Sequence, residues 1–432
     1  MSGAVVTRPR PGLRWLVAAG EGRALLAAAL AFFCLLSGYY MLRPLRDAMA
    51  LEVGREWNAA LFGAVFVVQL CMLPGYWWIV ARVTRRRLPL VVYGAVVIVF
   101  VAVAGGYQFT AASRGFAAAY FVAVTSLNLF MVSVFWSVMT DYWHPEAAKR
   151  LFGFVAAGGS VGALVGPVLM PPVIRLGGPG LVIASACALF GGTIHFLGQA
   201  RAARAGAHGP LDPAQVAATA VGGRAVDDLA RLVKSPYLLA VIGLIVVAQI
   251  LGIFMYNEQA RYVEATWSNL RDRAVLFSRV EFGVNLLSLF LQSVVVGWLT
   301  ARMSLRASLS AMPALAGLSF LALALVPEGR VVLATQILRR GLEYGLGKPT
   351  REMLFTVLNP ESKFKSKSLI DTVVQRGADT LGQTIALGMT SLTLTMLGWL
   401  SAAVCLVLIG VTTWLGSVFE ARRAGMPLQS AA

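Results

Sequence analysis

The sequence predicts an all-α integral membrane protein with about twelve transmembrane helices in two six-helix halves. Three observations carry that expectation. The 432 residues are 58% hydrophobic and 13% charged, with a mean hydropathy of +0.73, where a soluble domain is about one quarter charged. Apolar runs of roughly 20 residues, enough for a helix to cross a bilayer core of about 30 Å, recur along the whole chain. The 37 Lys and Arg gather largely in alternate loops, the pattern of a chain whose cytoplasmic side retains the positive charge.

Taken in order, helices are expected near 24–46, 58–81, 88–109, 115–139, 152–174, 179–199, 236–259, 277–300, 307–326, 330–350, 368–393 and 397–418. With both termini cytoplasmic, Arg85 to Arg87, Lys149 and the loop from Arg201 to Ser235 face the cytoplasm, while Arg339, Arg340 and Arg376 fall inside the membrane. The expected location is the cell (inner) membrane. This bias accounts for most of the formal charge of +17, so no nucleic-acid partner is called for. The basic stretch MSGAVVTRPRPGLRW runs on into the first apolar span without a small-residue cleavage site, and no cleaved signal peptide is expected. Cys34, Cys71, Cys187 and Cys405 lie in apolar runs, and His144, His195 and His208 are scattered. Neither disulfides nor a metal site nor a cofactor is expected.

WIVARVTRR (78–86) and WLTARMSLR (298–306) share Trp, Ala and two Arg positions, each at the end of the second helix of a half. HPEAAKRLFG (144–153) and NPESKFKSKSLID (359–371) echo each other between fourth and fifth helices. Two echoes in matching order point to a duplicated unit, giving an N-terminal half at 1–200, a central cytoplasmic loop at 201–235 and a C-terminal half at 236–432. AVDDLARLVKSP within the loop has the spacing of a helix lying along the inner membrane surface. Six plus six around such a loop resembles the major facilitator superfamily. Its signature after helix 2 is partly present in GYWWIVARVTRRR, with Gly75 and the basic cluster but no aspartate.

Helix 5, GFVAAGGSVGALVGP, carries Gly158, Gly162 and Gly166 at four-residue intervals, a spacing that lets helices approach closely as a packing seam or a pivot. No Gly-Lys-Ser/Thr follows, so it is not a phosphate loop. Ionisable residues at membrane depth are costly and point to function. Helix 1 places Arg43 and Asp47 four residues apart with Arg46 beside them, either snorkelling to the outer interface or facing a cavity. Helix 7 carries Glu258. Helix 8 carries Arg279, Glu281, Asn285 and Gln292, which can pair with one another. Helix 10 repeats Gln336, Arg340 and Tyr344 every four residues, and Glu343 has the spacing to pair with Arg339. Helix 11 aligns Asp371, Gln375 and Asp379 on one face, with Arg376 near Asp379; an ion-pair lattice and a substrate site account for that stripe equally. An excess of arginine, whose fork matches phosphate or carboxylate, points to an anionic solute.

The segment PTREMLFTVLNPESKFKSKSLID (349–371) resembles the nucleotide transporter family of plastids and intracellular bacteria, which reads Pro-Thr-Lys-Glu-Met and then a Ser-Lys-x-Lys-x-Lys run before Ile-Asp. LRPLRDAM is similar to that family's helix 1 segment, with Arg46 where the family has a functional lysine. Glu258 falls where it has an acid on helix 7, and Lys363, Lys365 and Lys367 fit its loop lysines. Asn128 stands in place of its helix 4 acid, a departure that removes a charge from the family's pattern.

Spacing and resemblance together nominate Arg43, Arg46, Asn128, Glu258, Arg339, Arg340, Lys367 and Arg376 for substrate binding. Asp47, Glu281, Glu343, Asp371 and Asp379 are nominated for coupling or a charge network. The expected function is secondary transport of an anionic, phosphorylated, nucleotide-like solute by alternating access. A proton-coupled carrier of another organic anion, with Glu258, Asp371 or Asp379 carrying the proton, and a non-transporting membrane sensor remain as alternatives. No nucleophile, metal set or acid/base pair suggests an enzyme. The partners are the small anionic solute and the lipid bilayer; the sequence does not set an oligomeric state.

Overall fold

The computed structural model describes residues 21–84, 87–110, 113–143, 145–208, 235–296, 302, 304–355 and 373–423. Among them the regular structure is helical. Helices α1 (Glu21–Val53), α2 (Asn58–Arg82), α3 (Leu88–Thr110) and α4 (Arg114–Tyr142) are followed by a bent rod, Pro145–His208, whose arms 145–177 and 179–208 are α5 and α6. Then come α7 (Pro236–Thr266), α8 (Leu270–Phe290, continued by a π-helix over Leu291–Val296) and α9 (Leu305–Leu325). Helix α10 runs through Gly329–Leu342, a π-turn at Glu343–Gly347 and a last stretch Lys348–Leu354, before α11 (Gln375–Gly388) and α12 (Leu394–Arg423). The about twelve expected helices are thus present among the described residues.

Short polar residues start several of these helices by capping free backbone donors. Ser113, Ser235, Asn269 and Ser304 accept from the N–H groups of Phe116, Leu238, Arg271 and Ala307 at 3.1, 3.4, 2.8 and 3.3 Å. Gly54 (φ 107°) closes α1, and Gly178 (φ 68°) makes the bend between α5 and α6, both in backbone that a side chain would strain. Helix α8 begins at Leu270, seven residues before the apolar pattern suggests. Its first turns are charged and stand beyond the apolar span, where Arg273 donates to Glu52 at 3.0 Å.

Among the described residues eight stretches are long and apolar enough to cross a membrane, one of them Arg150–Arg204, which contains both arms of the bent rod. Helices α2, α10 and α11 are not among them. Arg339, Arg340 and Glu343 interrupt α10 in mid-course, and α11 is described only from 373 onward.

Burial has two apolar centres. One joins α1–α6 to Ala260, Val263, Ala274, Val275 and Phe277; the other joins α7, α9, α10 and α12 around Tyr237, Phe320, Leu354 and Leu415. The glycine series on α5 is a packing seam against α1. A Cβ at Gly158, Gly162 or Gly166 would collide with the backbone of Ala29, Phe33 or Ser37, and Ser37 Oγ donates to the Gly162 carbonyl at 3.2 Å. The central loop from 209 to 234, the loop residues Lys363, Lys365, Lys367 and Asp371, and parts of both echoing segments at 78–86 and 298–306 lie outside the described residues.

Candidate functional site

The α1–α5 seam carries the second half of α1 into the middle of the bundle, where its charges meet those of α10 and α11 across a cavity of about 390 Å³. Six helices line it. Arg43, Arg46 and Asp47 come from α1, Phe62 from α2, and Phe121, Thr125 and Asn128 from α4. Gln249, Gly252, Ile253, Tyr256 and Gln259 come from α7, and Gln375, Arg376 and Asp379 from α11. Helix α10 contributes Gln336, Arg339, Arg340, Glu343, Tyr344, Lys348 and Arg351. Among the described residues seven cationic side chains face three acidic ones here, an electropositive balance.

The ion pairs differ from those the spacing suggested. Arg339 does not form an ion pair with Glu343. Arg340 grips Glu281 of α8 through two parallel bonds, Nη1 to Oε1 at 2.6 Å and Nη2 to Oε2 at 2.9 Å. Arg43 Nε lies 3.4 Å from the same Oε1. Glu343 accepts instead from Arg351 at 3.0 Å. The cause is local: the π-turn that begins at Glu343 lengthens the following turn and brings Arg351, eight residues on, onto the same face as Glu343. Arg339 is left with a neutral partner, Gln336 Oε1 at 3.2 Å, and its Nε is buried without one.

Helix 1 does not snorkel. Arg46 and Asp47 are buried and joined at 2.6 Å. Arg46 also donates to Thr125 Oγ1 at 3.4 Å and lies over the Phe121 ring, while Tyr256 donates its hydroxyl to Asp47 at 3.5 Å. On α11, Asp379 accepts from Arg376 at 3.1 Å and from Gln249 at 2.9 Å. The polar residues of α8 do not pair with one another. Arg279 is exposed, Asn285 donates to the Ala163 carbonyl at 2.7 Å and Gln292 to that of Tyr344 at 2.9 Å.

Of the nominated residues, Arg43, Arg46, Asp47, Asn128, Arg339, Arg340, Glu343, Arg376 and Asp379 line this one cavity, and Glu281 sits behind two of them. Lys367 and Asp371 lie outside the described residues. Glu258 is elsewhere: it faces a second pocket of about 260 Å³ with Arg55, Asn257, Arg261 and Gln383, and lies 3.4 Å from Arg261. Around that pocket Asn257 accepts from Asn58 and donates to Gln383, each at 3.0 Å, and Arg55 pairs with Glu264. These contacts tie α2 and the 55–57 turn to α7 and α11. Spacing alone had not singled out Phe121 and Thr125, although both stand four and three residues apart on the face that carries Asn128. Nor had it singled out Lys348 and Arg351, which continue the Arg340–Tyr344 stripe once the π-turn is allowed for.

Comparison with known proteins bears on the fold and on part of the chain. Residues 301–424 match the TLC ATP/ADP transporter family, as the resemblance read from 349–371 implied. No curated protein matches the chain. Among solved structures, it is similar to a bacterial homologue of the iron transporter ferroportin in an inward-facing state, at 13% identity and a TM-score of 0.65, over 91% of this chain and 99% of that one. It is also similar to a mutant of the peptide transporter POT, at 16% identity and 0.63 over 91% and 94%. A third similar structure is a bacterial homologue of the human lysosomal transporter Spinster, inward-facing and unoccupied, at 13% and 0.59 over 94% and 97%. The fold is that of the major facilitator type.

Proposed function

We propose that this chain, a multi-pass membrane protein of major-facilitator fold whose residues 301–424 match the TLC ATP/ADP transporter family, is a secondary transporter. Its cargo is an anionic, phosphorylated, nucleotide-like solute, carried by alternating access. The observation that carries the reading is the central cavity, where seven cationic side chains converge with Phe62, Phe121, Tyr256 and Tyr344. Guanidinium forks suit phosphate oxygens, and aromatic faces suit a planar base. The segments 1–200 and 236–432 are the two moving halves, with the loop 201–235 between them on the cytoplasmic side of the inner membrane. The contacts of α7 and α8 with α1, α2 and α5 form the closed outer side, in keeping with the inward-facing relatives.

Uptake and counterflow in proteoliposomes, against a panel of nucleotides, organic phosphates and non-phosphorylated organic anions, test this. Accelerated uptake of a phosphorylated solute by the same solute preloaded inside is the expected result. Flux confined to non-phosphorylated anions and driven by a pH gradient would replace it with the proton-coupled reading. That alternative draws on Glu258, which stands in a pocket of its own with Arg261 as its ion-pair partner.

A further inference from the structure

Among the described residues the carboxylates around the cavity are all engaged. Asp47 is held by Arg46, Glu343 by Arg351 and Asp379 by Arg376, while Glu281 alone serves both Arg340 and Arg43. Among the described residues no carboxylate forms an ion pair with Arg339. Its guanidinium lies against Gly252 of α7, where a Cβ would come within 3.0 Å of Nη1, and its Nε is buried and unpartnered. Among the described residues the interior of the cavity therefore holds two positive charges beyond its carboxylates: Arg339, and one shared across the Arg43–Glu281–Arg340 triad. Lys348 is exposed and keeps its hydration. Uncompensated charge at membrane depth is costly, so such a surplus is retained where a counter-charge arrives from outside.

We infer that the cavity is built for a compact dianion, the terminal phosphate of a monoester, and that Arg339 is the residue that selects it. The inference rests on the phosphorylated-solute reading. The empty protein carries the cost of the surplus, and the bound dianion removes it. A monoanion leaves one charge unmatched and binds more weakly. Gly252 leaves room for the guanidinium beside α7.

Titration calorimetry on the purified protein in nanodiscs tests this with two probes, glycerol 3-phosphate and sulfate. The second phosphate proton of a monoester leaves near pH 6. Monoester affinity should therefore rise about tenfold between pH 5 and pH 7, while sulfate, a dianion throughout, stays nearly constant and controls for titration of the protein. Arg339→Gln should weaken monoester binding at pH 7 at least about tenfold and flatten its pH profile; Arg339→Lys, keeping charge without the fork, should fall between. In the empty protein Arg339→Gln should raise the unfolding temperature by about 2 °C or more, since it removes a half-buried charge that no described carboxylate balances. A structural role would lower it. If the native protein binds neither probe yet shows counterflow of a phosphorylated solute, the dianion site is overturned while the phosphorylated-solute reading stands; if it shows neither, that reading itself fails. If it binds the monoester but Arg339→Gln binds as well, or sulfate follows the same pH profile, the assignment of Arg339 and of the dianion is overturned while that reading stands.

Discussion

Glu281→Gln should destabilise this protein more than Arg340→Gln does, although the two residues form one ion pair. Glu281 is 1% exposed and takes both Arg340 bonds, at 2.6 and 2.9 Å, with Arg43 at 3.4 Å. Neutralising it leaves two guanidinium groups buried without a counter-charge, and removing one partner of a buried pair costs about 3–5 kcal/mol. Neutralising Arg340 leaves Glu281 still matched by Arg43, so the loss is that of charge-assisted hydrogen bonds, about 1–3 kcal/mol. The double variant should recover part of the Glu281→Gln loss, because only Arg43 is then stranded. The assay is equilibrium unfolding in mixed detergent micelles followed by tryptophan fluorescence, with the four proteins of the cycle compared under one condition. Equal or reversed losses for the single variants, or an additive double variant, would refute the triad as the unit that neutralises charge here. A parallel cycle between Arg340 and Glu343 should show the smaller interaction, since Glu343 is held by Arg351.

Three other outcomes are expected. Gly162→Ala should destabilise by about 1–3 kcal/mol through forced separation of α1 from α5, whereas Gly153→Ala, with nothing within 4 Å of the new Cβ, should be neutral or mildly stabilising; chemical unfolding of both variants checks this. Neutralising Arg55 or Glu264, side chains 38% and 35% exposed, should cost less than about 1 kcal/mol yet speed alkylation of a cysteine placed at Thr390 in the second pocket, with the charge-swapped pair restoring the slow rate. A cysteine at position 86 or 365 should be shielded from an impermeant reagent added outside intact cells; labelling there from outside would overturn the proposed orientation.

The helices were legible because bilayer physics writes itself into composition: length, hydropathy and the basic loops each act over many residues. Helix α8 shows where this stops. Its first turns are held by a cap at Asn269 and by Arg273 reaching Glu52, interactions to which a hydropathy window is blind. The glycine seam was legible because its four-residue period is itself the packing constraint. The residues around the cavity were legible as a set, since a charge at membrane depth has few reasons to exist, but their partners were not. Glu281 finds Arg340 and Arg43 on other helices, and one π-turn redirects Glu343 to Arg351, so local spacing misassigned both pairs. Glu258 shows a different limit: helix and depth are readable from sequence, while which of two neighbouring hollows the side chain enters depends on the rotation of α7.

The central claim, that solute binds in the cavity between α1, α4, α7, α10 and α11, is tested most directly by protection of a single cysteine. With Cys34, Cys71, Cys187 and Cys405 replaced, Thr125→Cys lies in the central cavity and Phe254→Cys lines the second pocket. The phosphorylated solute that gives the strongest counterflow should slow thiol modification at position 125, with half-protection at the concentration that half-saturates counterflow, and leave position 254 unchanged. Protection at 254 with none at 125 would contradict the account.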